Sequence, residues 1–338
     1  MLRPLITMLI AASVFGFATP VVAAPVMGAE ADTSYFPVVI QSTLGTATIE
    51  ASPKRVVTLG VGADDIAISL GIVPIGISRA DWGGDEDGYW PWVREALEAQ
   101  DIPLPTTITQ FPELDIEALL ALEPDVILAP SSGIPEAIYD LLSPLVPVVA
   151  YPKRPYLTSV DEQIERIAKA LGMPEKGDAL RRHLQESLGA AGGAYPSLTD
   201  TTFAYVRPDP TSGNVSVYLA DDPRVGTLTG LGLRLSPTVE DLSPSGNHFA
   251  HYLGFEHLPM LHDVELVVSW YHSEEQRDRV AELPLFASLP AISHGRYLAL
   301  TDQPLIVASS AGSPLATQWM LERLLPRLAE AAKRANLQ

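Results

Sequence analysis

The chain has 338 residues, of which 41 are acidic and 22 are basic, so its formal net charge is −19. Apolar residues make up 47% of it, and its length exceeds what one hydrophobic core usually holds. Because the chain has no cysteine, it can form no disulfide, thiol nucleophile, cysteine zinc site or lipid-bearing lipobox. The negative charge also argues against nucleic-acid binding, since phosphate backbones would be repelled.

Residues 1–23 predict an export signal. Arg3 supplies a positive start, an apolar run from Leu5 to Phe17 follows, and small residues end at Ala23. The apolar run is short for a bilayer span, and an N-terminal membrane anchor is the alternative. We expect cleavage near Ala23 and a mature protein that is periplasmic, soluble and not a lipoprotein.

The following segments predict an α/β organisation. Residues 24–52 are expected to form an N-terminal extension and a β-hairpin, with its turn near Leu44 and Gly45. Residues 53–173 predict a first α/β lobe, because short apolar strands such as Val56–Leu59 alternate with amphipathic helices. Parallel strands covered by helices on both faces are typical of such a pattern.

The segment DIEALLALEPDVILAP is the sharpest unit of this lobe. Asp115 is a good N-cap, apolar residues at helical spacing follow it, and a buried strand is predicted at Val126–Ala129. In this helical phase Glu117 points away from the core, in the first turn.

Residues 174–193 predict one long helix that bridges to a second α/β lobe over residues 194–330. The alternation restarts there, with a strand at Leu266–Trp270 and a final helix over Leu315–Leu328 assigned to the second lobe. The predicted fold is therefore α/β, with two Rossmann-like lobes, each with a central sheet, joined by a single long α-helix.

Several segments together carry a family resemblance. The chain contains PKRVVTLG, DIEALLALEPDVILAP and LPLFASLPAISHGRYLAL in that order, with GYWPWVREAL, FAYVRPD and VYLADDPRVGTLTGLGL between them. Through these segments, their order along the chain and the single bridging helix, the chain resembles the substrate-binding proteins of ABC importers for ferric siderophores and cobalamin. The likeness covers nearly everything after Phe36.

The resemblance implies a ligand cleft between the lobes and a hinge made stiff by the bridging helix. It implies that Glu117 on one lobe and Glu256 on the other dock onto Arg pockets of a permease dimer that works with ATPase subunits. Solvated surface acids are the alternative for both residues. The implied ligand is a ferric siderophore, with no other cofactor, and a monomer is expected.

Aromatic residues suggest where a bulky ferric complex would sit. Trp82, Tyr89, Trp90 and Trp92 crowd into WGGDEDGYWPW, which reads as a polar loop at the rim of the cleft. A core role for one or two of these rings is the alternative. The second-lobe candidates lie at predicted strand ends or in a predicted loop: Tyr205, Arg207, Tyr218, Trp270, Tyr271, Ser309 and Ser310. For Arg207 a surface ion pair with Asp209 or Asp221 is equally open.

The charged residues around these aromatic rings favour one class of ligand. The Trp82–Trp92 segment holds acids but no Lys or Arg, which favours a neutral or cationic complex such as a ferric hydroxamate. Haem, ferric citrate and cobalamin are the alternative ligands.

Direct metal ligation and catalysis have weaker support in the sequence. A His-x-x-His pair, His248 and His251, could hold a metal or haem iron if it lay on a helix, but surface histidines are the preferred reading and no metal site is predicted. The chain has no GxSxG, HExxH or phosphate-loop motif, so an extracytoplasmic enzyme is the other alternative class.

Overall fold

The computed structural model describes residues 33–246 and 250–333. The predicted export signal and His248 lie outside the described residues. The strands are β1 (Val38–Gln41), β2 (Thr46–Ile49), β3 (Val56–Thr58), β4 (Gly76–Ser78), β5 (Thr106–Ile108), β6 (Val126–Leu128), β7 (Val148–Val149), β8 (Thr202–Asp209), β9 (Asn214–Tyr218), β10 (Arg234–Leu235), β11 (Ala250–Gly254), β12 (Leu266–Trp270) and β13 (Tyr297–Leu300).

The helices are α1 (Ala63–Ser69), α2 (Pro91–Glu98), α3 (Ile116–Ala121), α4 (Glu136–Leu142), α5 (Val160–Ala170), α6 (Pro174–Gly193), α7 (Pro223–Gly230), α8 (Pro237–Glu240), α9 (Glu274–Ala281), α10 (Pro284–Ala287), α11 (Pro290–Ser293), α12 (Gln303–Ala311) and α13 (Pro314–Lys333). Two short 3-10 helices, Thr33–Tyr35 and Phe255–Leu261, complete the set in the described ranges.

The first lobe is built on a five-stranded parallel sheet in the order β5-β4-β3-β6-β7. Every residue of β3, β4 and β6 is buried, because helices cover both faces of the sheet. The β1–β2 hairpin instead alternates buried and exposed residues, as a strand pair with one wet face does.

The second lobe has a six-stranded mixed sheet in the order β11-β9-β8-β12-β13, with β10 paired to β8. Strands β8, β12 and β13 run parallel, and β9 turns back against β8. This arrangement confirms the predicted α/β fold with two lobes, each built on its own sheet. The exact lobe boundaries stay predictions.

Two helices connect the lobes. Helix α6 has 20 residues and packs against α5 of the first lobe and α7 of the second. Helix α13 packs against α12 and β13, but also against α1 and α2 of the first lobe. The prediction that this last helix belongs to the second lobe did not include its contacts with the first lobe. In the described ranges, no helix is long and apolar enough to cross a bilayer.

Two adjacent carboxyl groups are buried in the first turn of α1. Asp64 is 2% exposed and Asp65 is fully buried. Asp65 accepts hydrogen bonds from the start of α13. Neither oxygen of Asp64 has a hydrogen-bond partner of good geometry among the described residues. Burial, reinforced by the neighbouring charge of Asp65, raises the pKa of Asp64 to about 7.

This buried acid should make stability depend on pH. The unfolded chain releases the Asp64 proton near the ordinary aspartate pKa of 3.8, whereas the folded chain holds it until about 7. The free energy of unfolding should therefore fall as the pH rises through this window. We expect Asp64→Asn to flatten that fall and to be more stable than wild type at about pH 8, by up to a few kcal/mol.

Urea unfolding at about pH 5 and about pH 8 measures this difference. Asp87→Asn is the control, because that carboxylate is 71% exposed. Identical pH profiles for the wild type and Asp64→Asn would show that Asp64 is not the group responsible.

Candidate functional site

A cavity of about 580 Å³ lies between the two lobes. Its first-lobe wall comes from the loops that follow β3, β4, β5 and β6, and its second-lobe wall from the start of α7, the end of β12 and helix α12. The carboxyl ends of parallel strands are where open α/β sheets bind ligands. The topology therefore places one ligand-binding edge from each sheet around one cleft.

Hydrogen bonds between uncharged groups hold the first-lobe wall of the cleft in place. The Ser78 hydroxyl donates to Gln110 Oε1 at 2.6 Å, and the Gly60 N–H reaches the same oxygen at 3.0 Å. Gln110 Nε2 in turn donates to the Ser132 carbonyl at 3.1 Å. One amide side chain thereby joins the end of β4 to the loops after β3, β5 and β6.

Four of the residues predicted from the sequence line this cleft. They are Trp82, Trp90, Trp270 and Ser310. Trp82 of the first lobe lies against Trp270 of the second, with ring centroids 5.8 Å apart, so this aromatic pair joins the lobes at one end of the cleft.

The other two aromatic residues of the predicted loop lie behind the lining. Trp92 is 3% exposed and stacks on Trp90 at 5.4 Å with nearly parallel rings. Pro91 starts helix α2, so Trp92 is helical and the loop reading is wrong for it. Tyr89 donates its hydroxyl proton to the Pro105 carbonyl at 2.6 Å. Ligand contact by these two residues stays a prediction.

Three predicted tyrosines of the second lobe are buried beneath the cleft: Tyr205, Tyr218 and Tyr271. Trp270 Nε1 donates to the Tyr218 hydroxyl at 2.9 Å, which fixes the orientation of the indole ring at the cleft surface. Burial raises the pKa of Tyr205 to about 12, so this hydroxyl stays protonated. None of the three is part of the cleft lining, and their direct contact with a ligand stays a prediction.

Ser309 and Ser310 lie on helix α12 rather than in the predicted loop. Both hydroxyls donate to the Ile306 carbonyl, as serines inside helices often do, and Ser309 is buried. Helix α12 also starts with an N-cap, Asp302, and ends at Gly312 with φ of +59°. The sequence VASSAGSP therefore contains a helix end instead of a whole loop.

Arg207 packs over Trp270, with its guanidinium carbon 4.9 Å from the ring centroid. Within the described ranges it forms no ion pair with Asp209 or Asp221. Its Nη2 lies 3.3 Å from His272 Nε2, and burial together with this neighbouring cation lowers the pKa of His272. Arg207 thus packs against Trp270 and is not itself part of the cleft lining.

Two aromatic residues at the rim of the cleft, Phe111 and Tyr156, were not among the ligand-binding residues predicted from the sequence. They line the cleft and are 59% and 46% exposed. Tyr156 has φ of +64°, a conformation that is unfavourable for a bulky residue, and its ring lies directly over Gly133. Each follows a strand of the first sheet, which was the signal available in the sequence.

The charged side chains of the cleft lining are paired. Arg79 contacts Asp81 at 3.0 Å, and Arg224 contacts the buried Asp222 at 2.9 Å. Arg224 also stacks over the Tyr218 ring at 4.4 Å. These two cations and two anions give the described lining a formal charge near zero, in a chain whose total is −19.

The two glutamates named for permease docking are exposed and belong to different lobes. Glu117 is in the first turn of α3, which Asp115 caps by accepting from the Ala118 N–H at 2.9 Å. The Glu256 side chain is 68% exposed on the 3-10 helix that contains Pro259. The docking role of both glutamates stays a prediction.

The structure describes one histidine of the His-x-x-His pair in NHFAHY, His251, and it does not lie on a helix, as the metal-binding alternative required. His251 lies on strand β11 rather than on a helix, and its Nδ1 lies 2.7 Å from the Ser243 carbonyl oxygen. In the described part of the chain, no group of three or more His, Asp or Glu side chains is arranged to hold a metal ion.

Known proteins resemble this chain over most of its length. The Escherichia coli Fe(3+) dicitrate-binding periplasmic protein FecB is 25% identical over 258 residues, which are 76% of this chain and 79% of FecB. The crystal structure of Streptococcus pneumoniae PiaA in complex with ferrichrome superposes with a TM-score of 0.81 and 27% identity, covering 88% of this chain and all of that one.

The fold recurs at lower identity in Staphylococcus aureus SirA complexed with staphyloferrin B, with a TM-score of 0.68 at 20% identity over 86% of this chain and 98% of that one. The model of the family described as periplasmic binding protein matches residues 56–304. This match covers both lobes and more than half of the chain. The chain therefore belongs to the periplasmic binding protein family.

Proposed function

We propose that this protein captures a ferric siderophore outside the cytoplasm and delivers it to an ABC importer. The observation that carries the proposal is the cleft between the lobes, which is wide, walled by aromatic rings and balanced in charge. The family assignment confirms the sequence-based prediction that the chain is a binding protein and not an enzyme.

The aromatic wall suits a ferric complex that brings its own metal ligands. Five rings line the cleft: Trp82, Trp90, Phe111, Tyr156 and Trp270. A siderophore surrounds its iron with oxygen ligands and presents an organic periphery, so the protein needs apolar contact and a few hydrogen bonds. The neutral network at Gln110 offers such polar partners without supplying a metal ligand.

Charge favours a hydroxamate siderophore. A ferric tris-hydroxamate is electrically neutral, whereas ferric citrate and catecholate complexes are anionic. A cleft in which Arg79 and Arg224 are each neutralised by an aspartate matches the neutral class. The likeness to a protein crystallised with ferrichrome supports this reading.

Ferric citrate is the second candidate, favoured by the likeness to FecB. Arg79 and Arg224 would then be the cations that face the citrate carboxylates, because a guanidinium binds a carboxylate with two parallel hydrogen bonds. Each would have to exchange its aspartate partner for the ligand. Breaking these Arg–Asp pairs costs free energy, and this cost opposes anion binding in the cleft.

Delivery would use one acid on each lobe. Glu117 and Glu256 are exposed on separate lobes, so two Glu–Arg contacts would set the orientation of the protein on a permease dimer with its ATPase subunits. The export signal predicted at residues 1–23 and the absence of a lipobox cysteine support a soluble periplasmic protein, and we expect it to act as a monomer.

One prediction of the proposed function concerns ligand charge. Quenching of tryptophan fluorescence in the mature protein should show ferrichrome binding more tightly than ferric citrate or a ferric catecholate, by roughly tenfold or more. Asp81→Asn leaves Arg79 without its carboxylate partner and should shift the affinity ratio towards ferric citrate by several-fold. Asp87→Asn makes the same charge change on a residue outside the lining. Tighter binding of citrate than ferrichrome by the wild type would contradict the hydroxamate assignment.

A second prediction concerns Tyr156. A Cβ added at Gly133 would lie 2.1 Å from the Tyr156 ring, so Gly133→Ala must displace this ring from the rim. We expect a loss of ferrichrome affinity of roughly fivefold or more, measured by the same titration. Gly213→Ala is a matched control, since Gly213 also has positive φ but open space around it.

Both glycine variants should lose about 1 kcal/mol of stability, because alanine is strained at positive φ. If Gly133→Ala binds ferrichrome as the wild type does, Tyr156 has no part in the site.

The third prediction concerns docking. Glu117→Arg and Glu256→Arg should each keep ferrichrome affinity within about twofold, since both residues lie away from the cleft lining, but abolish stimulation of the importer's ATPase in proteoliposomes. Glu175→Arg, an equally exposed acid on α6, is the control. Normal stimulation by either lobe variant would remove that glutamate from the interface.

A further inference from the structure

The start of helix α13 is held by a residue of the first lobe. Asp65 on α1 is fully buried, and its carboxylate accepts from the Ser313 hydroxyl at 2.5 Å, the Leu315 N–H at 2.9 Å and the Ala316 N–H at 2.8 Å. The bonded residues are about 250 positions apart in the chain. A carboxylate at this place satisfies N–H groups that the first helical turn leaves free, and it complements the helix dipole.

A second contact reinforces the attachment further along the helix. Trp319 of α13 donates its indole N–H to Glu95 Oε1 on α2 at 3.1 Å, and its ring lies 5.7 Å from that of Trp92. Helix α13 is therefore fixed to the first lobe at two points, one of them a fully buried charge. Hydrogen bonds to a buried charged group are stronger than bonds between neutral groups.

The same helix continues directly from the cleft wall. Only Gly312 and Ser313 separate α13 from α12. Ile306, Val307 and Ser310 of α12 line the second-lobe side of the cleft. Any movement of the second lobe away from the first must therefore pull on the bond between Asp65 and the α12–α13 junction.

We infer that Asp65 is a positioning residue for the ligand cleft: by holding the start of α13 it acts as a latch that sets the separation of the two lobes. The bridging helix α6 provides the first connection, and this buried hydrogen-bonded carboxylate provides the second. The latch sets the distance between the lobes with or without ligand. Only its consequence for siderophore affinity rests on the proposed function.

The chain offers an internal control on the next residue. Asp64 lies in the same helical turn, is equally buried and carries the same kind of side chain, but it makes no hydrogen bond to α13 within the described ranges. Asp65→Asn replaces the acceptor with an amide that has one acceptor oxygen for three donors. Asp64→Asn makes the same chemical change and leaves the latch intact.

The test measures the distance between the lobes directly. Because the chain lacks cysteine, Asp140→Cys on α4 and Glu282→Cys after α9 give two unique, exposed positions for spin labels, one on each lobe. Double electron–electron resonance then reports the distribution of their separation. We expect Asp65→Asn to increase the population of wider separations by roughly tenfold in the absence of ligand, and Asp64→Asn to leave the distribution unchanged.

Ser313→Ala removes one of the three donors and should give an intermediate widening. If Asp65→Asn does not fold, as judged by circular dichroism, Ser313→Ala alone decides by the same criterion. An unchanged distribution in the folded latch variants, or an equal widening in Asp64→Asn, would overturn the inference. Ferrichrome affinity, measured on the same proteins, should fall with the widening. If the distances change while ferrichrome never binds the wild type, the latch stands and the proposed function fails.

Discussion

Two sheets that share no hydrogen bond must be held at a fixed separation for a cleft between them to have a defined shape. Besides the Trp82–Trp270 contact, helix α6 links the two sheets, and so does the C-terminal helix α13, which leaves the second lobe and packs on α1 and α2 of the first. A helix resists bending because bending stretches its backbone hydrogen bonds. The width of the cleft therefore depends on how the ends of these helices are anchored.

The electrostatic character of the cleft differs from that of the molecule. The chain has a large excess of acids, yet the charged side chains of the cleft lining form two local Arg–Asp pairs, one from each lobe. Each pair joins residues only two positions apart, so the balance is maintained within each wall and does not depend on the lobes meeting. Net charge acts over long distances in solvent, whereas the ligand meets the local pairs. An acidic exterior is thus compatible with a neutral ligand.

Local signals explain why much of the fold was predictable from the sequence. Asp115 and Ser159 cap helices as their spacing indicated, β12 spans the predicted Leu266–Trp270, and α6 spans residues 174–193. Trp82, Trp90, Trp270 and Ser310 line the cleft because the loops after strands of the first sheet face the end of β12 and helix α12 there. Tyr205 and Tyr218 lie on β8 and β9, and Tyr271 directly follows β12, but all three side chains are buried in the core beneath the cleft.

What the sequence could not indicate depends on contacts between distant segments. The attachment of α13 to the first lobe requires Asp65 to meet residues about 250 positions away, and no helical or strand periodicity records such a meeting. Phe111 and Tyr156 were missed because each is a single aromatic residue in its loop, whereas four rings within eleven residues form a cluster that stands out in the sequence. The paired arginines were missed because an arginine two residues from an aspartate is common on any surface.

The buried pair on α1 shows how such a long-range contact can be kept in one state. Two carboxylates side by side in a low-dielectric site repel each other, so they do not ionise together easily. Asp65 accepts from Ser313 and from two N–H groups of α13, which favour its charged form, whereas Asp64, which these donors do not reach, has the more strongly raised pKa. As the pH rises, Asp65 therefore loses its proton first, and a protonated Asp64 spares it the repulsion. Below about pH 7 the protonated Asp64 adds no repulsion to the carboxylate that holds α13, and its own ionisation above that pH lowers the stability of the fold.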